Sequence, residues 1–490
     1  MARIANLIKC FITYNICGAI LLTALPGCAA LSAAAPQQQA SIQKVNKGIN
    51  HLLASTKDKA DIGIIVQSMK SGAIVYQKNA DQLLLPASNQ KIFTAYAALQ
   101  QLGPEFTYKT QLLTDASTIN NGVINGNLYM RFDGDPELDI KAINQMVASL
   151  SQQGIHTVTG NFYVDASRFD DQGVAPGTLD SDIRYCYGAP TGAAIINHNC
   201  ASLTVSPARR VGQLAQVVPR LNIPLPVHNN VVTKAAGKAC SLQLAESSDG
   251  KYALNGCIGP KSKPIGLSFA VPDSKVYSEE IIRSLLQQHQ IRVAGMTERN
   301  PNNLPLKILT SHESRPMKDL VYDMMKKSDN IIANALFKTL GAHRFNQPGS
   351  WENSSQAMRV VLAQSRIRIP AEAQIIDGSG LSRENRVSAA EILQVLKSAY
   401  HNPMLAANFI PSLPVSGING TLKRRMNDVH MAGKVKAKTG TMKGVSSLSG
   451  YVEANNHEVY AFSIVVNSRS GWMGNYRVLE DKICRFLSNV

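Results

Sequence analysis

Short apolar runs near the two ends of the chain frame a long middle with a different pattern. From Ile62 to Gln77 apolar and polar positions alternate and break at Lys70-Ser71-Gly72. This predicts a hairpin of Gly63-Ile64-Ile65-Val66 and Ala73-Ile74-Val75-Tyr76. Leu83 to Pro86 comes next, then a helix from about Ser88 to Leu102. The far end mirrors this order. Val435 leads into Lys438 to Thr441, and Leu448 to Glu453 and Val459 to Val466 predict a second hairpin with Asn455-Asn456 near its turn. A helix from about Tyr476 to Leu487 closes the chain, with Val478, Leu479, Ile483, Phe486 and Leu487 on one side. Antiparallel strands from both ends, with helices beside them, predict one α+β domain built from the two ends of the sequence.

From about Gly103 to Asn302 the chain reads as short strands and polar turns. One helix carries Ile140, Ile143, Val147 and Leu150 and stops at Gly154. Another carries Ile281, Ile282, Leu285 and Leu286, with Ser278 as its expected cap. Such a segment reads as one or two domains inserted into the outer one, because insertion is tolerated where chain ends lie close at a surface.

Composition narrows the class. A chain of 490 residues, 44% hydrophobic and 17% charged, fits a globular protein of two or three domains. The net charge of +16 suits an anionic surface, such as cell-wall polymer or a membrane face. Nucleic acid is not expected: no basic run is interleaved with aromatics, and no zinc or helix-turn-helix signature is present.

The start of the chain has the form of an export signal. Arg3 and Lys9 give a positive region, Cys17 to Leu25 an apolar one, and Ala29 to Ala35 small residues. Cleavage within Ala29 to Ala35 is the favoured processing route, after which Gln37, Gln38 and Gln39 read as a polar spacer. Leu25-Pro26-Gly27-Cys28 resembles a lipobox, but Pro26 is unusual there. Export implies an oxidising compartment, the periplasm in the reading that follows. There Cys186, Cys200, Cys240 and Cys257 can form two bridges, and local pairing of Cys186 with Cys200 and Cys240 with Cys257 is the simplest arrangement. Neither pair has C-x-x-C spacing, so no metal is expected. Cys484 falls in the closing helix, where a buried inert thiol is the default.

Three strings carry chemistry. Ser88-Asn89-Gln90-Lys91 is S-x-x-K at a helix start, Ser328-Asp329-Asn330 is S-x-N, and Lys438-Thr439-Gly440-Thr441 is K-T-G on an expected edge strand. In this order they belong to serine enzymes that open an amide through an acyl-enzyme. A helix N-terminus beside Ser88 offers N–H groups to an oxyanion. Lys91, one turn on, can take the hydroxyl proton if burial keeps it neutral. Ser328 can relay a proton to the leaving amine, and Asn330 can hold the substrate amide. Lys438, Thr439 and Thr441 can bind a carboxylate, and Gly440 lets another backbone approach. Taken singly, each string has a plainer explanation in a helix cap, an N-cap or a basic turn. Ser41-Ile42-Gln43-Lys44 shows how readily the first arises by chance, and it lacks the preceding hairpin. Asp377-Gly378-Ser379-Gly380-Leu381-Ser382 alone reads as a glycine-containing turn. No Ser/His/Asp grouping is visible among the histidines.

With these strings in place, the chain resembles the low-molecular-mass class C penicillin-binding proteins, the penicillin-binding protein 4 type of S13 serine peptidase. The resemblance spans the mature chain and includes Pro86 to Lys91, Gly134-Asp135-Pro136, Ala175-Pro176-Gly177, Lys326 to Asn330, Asp377 to Ser382 and Ala437 to Thr441. The four middle cysteines also match. It implies a transpeptidase-like, β-lactamase-like domain interrupted between its first two motifs by two extra domains, and Ser88 and Ser328 are 240 positions apart. The expected division is 40–103 with 303–490 for the catalytic domain, 104–206 with 264–302 for one insertion, and 207–263 for the other. The resemblance further implies a cofactor-free periplasmic D-Ala-D-Ala carboxypeptidase and endopeptidase acting on peptidoglycan peptides and acylated by β-lactams. Ser88 matches the nucleophile, Lys91 the base, Ser328 the relay, Asn330 the amide anchor, and Lys438, Thr439 and Thr441 the carboxylate and oxyanion contacts. Asp165 and Arg383 match a carboxylate and an arginine that hold the diaminopimelate side chain. Lys443 stands where relatives can have glutamine, which touches substrate recognition. Peripheral membrane association and a homodimer are further expectations. A β-lactamase would need a positioned deacylating base, and no glutamate motif supplies one. A non-catalytic wall binder or β-lactam sensor would not need Ser88 with Lys91.

Overall fold

The computed structural model describes residues 34–54, 60–220, 227–235, 240–247, 251–298, 305–469, 471 and 473–490. The export signal between Arg3 and Ala33, including Cys28, lies outside the described residues.

Both chain ends meet in one antiparallel sheet, ordered Val435–Met442, Val445–Glu453, Val459–Ser468, Ala60–Ser68, Ile74–Lys78. Its middle strands are buried on both faces: Val459–Ser468 is largely apolar, whereas Val445–Glu453 buries three serines, Ser446, Ser447 and Ser449. Ile62, Ile64 and Val66 join Val45, Ile49, Phe462, Ile483 and Leu487 under the terminal helices Ala34–Ala54 and Gly474–Ser488. Ile65, Tyr451 and Val465 face the other way, onto Ile92, Phe93, Ile392 and Leu396. On that side the helix Gln90–Gln101 is buried from Gln90 to Leu99. It packs against Met317–Lys327, Asn330–Phe345, Trp351–Gln364, Ala389–His401 and Pro403–Ser412.

Strand-rich structure fills the middle of the chain. A five-stranded sheet runs Met296–Glu298, Phe162–Asp165, Leu128–Arg131, Lys109–Thr114, Lys307–Glu313. The helices Ile140–Gln152 and Ser274–Gln288 pack together beside it. Two three-stranded sheets follow, one of Gln216–Pro219, Cys200–Ser206 and Ile265–Ala270, the other of Val227–Thr233, Tyr252–Ile258 and Leu242–Glu246. Disulfides join Cys186 to Cys200 and Cys240 to Cys257, and Cys484 is buried and free. The segment from Asp170 to Gly177 docks onto the helices. Lys338 Nζ donates to Asp170 Oδ1 at 2.6 Å and Gln172 O at 2.8 Å, and Ser382 Oγ donates to Pro176 O at 2.6 Å.

Several expectations need correction. Lys307–Glu313, placed with the catalytic domain by the boundary at 303, pairs antiparallel with Lys109–Thr114 and so completes the inserted sheet. Gln216–Pro219, placed within 207–263, pairs with Cys200–Ser206 outside those bounds. Gln37 to Gln39 are not a spacer: they lie in Ala34–Ala54, whose partly or fully buried Ile42, Val45, Ile49 and Leu53 form an apolar stripe. Ser278 is inside its helix, donating to Ser274 O, while Asp273 caps by accepting from Lys275 and Val276 N–H. Val478 is 52% exposed, because the buried stripe of the last helix is narrower and runs through Leu479, Ile483 and Leu487.

Candidate active site

Ser88 sits in a short 3₁₀ turn, Ala87–Asn89, directly before the helix Gln90–Gln101. The turn begins with Ala87 at φ +47, an uncommon conformation for a residue with a Cβ. It is held from two sides. Ser447 Oγ donates to Pro86 O at 2.7 Å, and a Cβ added at Gly380 would lie 1.8 Å from Ala87 O. Only glycine at 380 lets the Asp377–Ser382 loop come this close. That loop is organised by the Asp377 carboxylate, which accepts from Ser379 Oγ, Gly380 N, Leu381 N and Asn385 Nδ2 at 2.6–3.1 Å.

Lys91 is fully buried in the first turn of the helix. Its Nζ is 3.1 Å from Ser88 Oγ, 2.6 Å from Asn330 Oδ1 and 2.7 Å from Ser379 O. The amide of Asn330 is oriented by its other end, where Nδ2 donates to Tyr187 O at 2.8 Å. Two of the three positions around Nζ are therefore filled by oxygens that can only accept. Ser88 is the partner that can also donate. A neutral Lys91 can satisfy both acceptors with its two hydrogens and turn its lone pair to the Ser88 hydroxyl. Burial lowers its pKa from 10.5 to about 8, and the nearby Asp377 and Asp329 carboxylates limit the fall.

Ser328 and Asn330 flank a break between two helices. Ser328 ends Met317–Lys327 in the left-handed region at φ +59. Asp329 then caps Asn330–Phe345 by accepting from Ile332 N at 3.0 Å. This turn aims Asn330 at Lys91 and Ser328 at the third string. Lys438 Nζ donates to Ser328 Oγ and to Thr439 O, each at 2.8 Å. Lys438 is fully buried, which holds its pKa well below the ordinary value, with the Lys91 charge acting the same way. Val435–Met442, which carries it, is the edge strand of the terminal sheet. A Cβ at Gly440 would meet Ser447 Oγ at 2.2 Å, Pro86 O at 2.8 Å and Ser88 N at 3.1 Å, so this strand lies directly against the Ser88 turn. Thr439 Oγ1 donates to Thr421 Oγ1 at 2.7 Å.

The three strings thus form one site. Ser88, Ser328, Asn330 and Thr441 line a cavity of about 420 Å³ together with Asp182, Tyr187, Arg383 and Lys443. Arg383 Nη1 donates to Lys443 O at 2.8 Å, and its buried Nε has no partner among the described residues. Asp165 is not in this lining. It ends a strand of the inserted sheet, where it accepts from Arg131 Nε at 2.8 Å and from Ser167 Oγ at 2.6 Å. The carboxylate that the inserted part brings to the cavity is Asp182, which accepts from Tyr187 Oη at 2.9 Å. Sequence reasoning also missed the Ser379 and Tyr187 carbonyls. Backbone oxygens carry no residue signature, although the Asp-Gly-Ser-Gly turn marked the place of the first.

A profile of the D-Ala-D-Ala carboxypeptidase 3 (S13) family matches residues 45–488. The chain belongs to the S13 family. It is 31% identical over 429 residues to the D-alanyl-D-alanine carboxypeptidase DacB of Haemophilus influenzae, covering 87% of this chain and 89% of that one. It is 30% identical over 428 residues to a D-alanyl-D-alanine carboxypeptidase of Actinomadura sp., covering 84% and 78%. The crystal structure of penicillin binding protein 4 (dacB) from Haemophilus influenzae superposes with a TM-score of 0.83 at 30% identity, over 90% of this chain and 99% of that one. The same protein has also been solved in complex with a β-lactam, with a TM-score of 0.79 to this chain. The chain is a serine-type D-Ala-D-Ala carboxypeptidase with the mixed α+β fold of penicillin binding protein 4.

Proposed function

We propose that Ser88 is the nucleophile of a D-Ala-D-Ala carboxypeptidase and endopeptidase acting on peptidoglycan peptides, with Lys91 as its base. The observation that carries this assignment is Lys91 Nζ, 3.1 Å from Ser88 Oγ and otherwise surrounded by acceptor oxygens. Lys91 takes the hydroxyl proton as Ser88 Oγ attacks the carbonyl carbon of the penultimate D-Ala. The Ser88 and Thr441 N–H groups receive the oxyanion. Ser328, in contact with Lys438, gives its proton to the leaving amine and takes back the one Lys91 accepted, which leaves Lys91 neutral for the attack of water. Water then clears the acyl-enzyme. Burial holds the Lys438 pKa down, and a substrate carboxylate beside it favours its charged form. Thr439 and Thr441 complete the carboxylate contact, Gly440 keeps the strand close to Ser88, and Asn330 holds the substrate amide.

Asp182 and Arg383 take the role first expected of Asp165 and Arg383. A carboxylate and a guanidinium in one cavity suit the amine and carboxylate at the end of a diaminopimelate side chain. A β-lactam carbonyl enters by the same route and leaves a long-lived adduct. The two disulfides and the signal-like start support a periplasmic location, and among the described residues no helix is long and apolar enough to cross a membrane. The charge of +16 supports peripheral contact with anionic wall or membrane surfaces, and light scattering will separate a monomer from a homodimer.

Mixing the protein with a fluorescent penicillin tests the assignment. A stable label in the wild type, absent from Ser88→Ala, together with D-Ala release from a muropeptide, is expected. Rapid turnover of the penicillin would make the protein a β-lactamase. A label without D-Ala release would make it a sensor.

A further inference from the structure

The inserted part touches the Ser328–Asn330 turn at two adjacent residues. Tyr187 O accepts from Asn330 Nδ2, and His198 Nδ1 lies 3.4 Å from Asp329 Oδ2. The two contact residues flank one disulfide: Tyr187 follows Cys186, and His198 precedes Cys200 by two positions. The backbone that presents His198 is strained. Asn197, His198 and Asn199 stand in succession at φ +51, +57 and +49. Asparagine tolerates this region, whereas holding a histidine there costs on the order of 1 kcal/mol. Both asparagines use their side chains to fix the turn. Asn197 Oδ1 accepts from Ile140 N at 3.3 Å, and Asn199 bonds Pro190 O and Ile196 N at 2.9 and 3.2 Å. The His198 ring faces Asp329 instead.

Asp329 uses its other oxygen to cap Asn330–Phe345, and Asn330 is the first residue of that helix. A path of direct contacts therefore runs from His198 through Asp329 and Asn330 to Lys91. We propose that the imidazolium form of His198 is a positioning residue: by holding Asp329 it fixes Asn330, and with it the direction in which Lys91 addresses Ser88. The proposal rests on the assignment of Lys91 as base made above.

The charges around the ring favour this form. The hydrogen bond to Asp329 raises the His198 pKa, burial opposes it, Glu137 adds to the rise and Lys327 subtracts, with a net shift upward from 6.5. Asp135 and Asp139 are the other acidic groups nearby, and Glu137 is itself held by Arg315 at 2.8 Å. The ring stays accessible, 41% exposed in a groove of about 810 Å³. As pH rises through the shifted pKa, the imidazolium is lost and the Asp329 contact weakens. Acylation slows by about fivefold at that step, the size of one half-exposed charge pair.

The test compares acylation by a fluorescent penicillin in three proteins from about pH 6 to about pH 8.5. His198→Arg keeps the cation at every pH. His198→Asn tolerates the left-handed backbone and carries no charge. The rate ratio of His198→Arg to wild type is expected to rise about fivefold across this range, and that of His198→Asn to wild type from about one fifth to about one. Ratios that stay level with pH would overturn the proposal. If His198→Asn melts early, the His198→Arg ratio decides alone. Loss of label in Ser88→Ala shows independently that the acylation being measured is the one assigned above, so the two ideas fail separately.

Discussion

The Lys91 assignment makes a quantitative demand on pH. A lysine at 10.5 is neutral in roughly one molecule in three thousand at pH 7, whereas one at about 8 is neutral in roughly one in ten. Burial thus raises the population of competent base by a few hundredfold, equivalent to about 3 kcal/mol. The sign follows directly: the neutral form gains as pH rises and levels off above the shifted pKa. Because the His198 contact adds a pH dependence of opposite sign, His198→Arg is the cleaner background for the measurement. Acylation by a fluorescent penicillin, quenched on the seconds scale and quantified by gel, is expected to climb close to tenfold per pH unit below about pH 7.5 and to flatten above about pH 8.5. Lys91→Met removes the base, and its rate is expected to fall by about 10²–10⁴-fold and to lose the rising limb. A limb that first appears near pH 10, or a Lys91→Met protein that keeps both rate and limb, would refute the argument that burial and acceptor contacts make this amine the base.

Other residues give independent tests. Gly380→Ala places a Cβ 1.8 Å from Ala87 O at a positive φ, so it is expected to destabilise the protein by about 2 kcal/mol or more in urea unfolding and to abolish labelling. Asp170→Ala strands the buried Lys338 ammonium and is expected to cost about 3 kcal/mol, most of it recovered in the double variant with Lys338→Met. Asp182→Asn and Arg383→Ala are expected to raise KM for diaminopimelate-containing peptides by about tenfold each while leaving penicillin acylation within about twofold. Equal losses on both substrates would remove these two residues from side-chain recognition.

The three strings were legible because each packs its chemistry into three or four consecutive residues. A helical turn, a helix break and an edge strand are local objects, and local patterns report them. The hairpins at both chain ends were equally plain, since apolar stretches interrupted by short polar turns mark paired strands. The partners that complete the site were not visible. Ser379 O and Tyr187 O reach Lys91 and Asn330 through backbone atoms from distant segments. Asp182 and Asp165 are both acidic residues of the insertion, and only the turn of the Phe162–Asp165 strand toward Arg131 tells them apart. The helix Ala34–Ala54 was hidden by its glutamines and by the signal-like residues before it. Lys307–Glu313 was misplaced because a strand at the crossing between two domains can belong to either until its partner is known.

The sheet that carries the site joins Ala60–Ser68 to Val459–Ser468, segments separated by nearly the whole chain. During vectorial synthesis Ser88 emerges long before the strands that complete its sheet. The catalytic pocket closes only when the last strands and the terminal helix arrive. A molecule cut short before Val435 therefore lacks the strand against which the Ser88 turn packs and the lysine that meets Ser328.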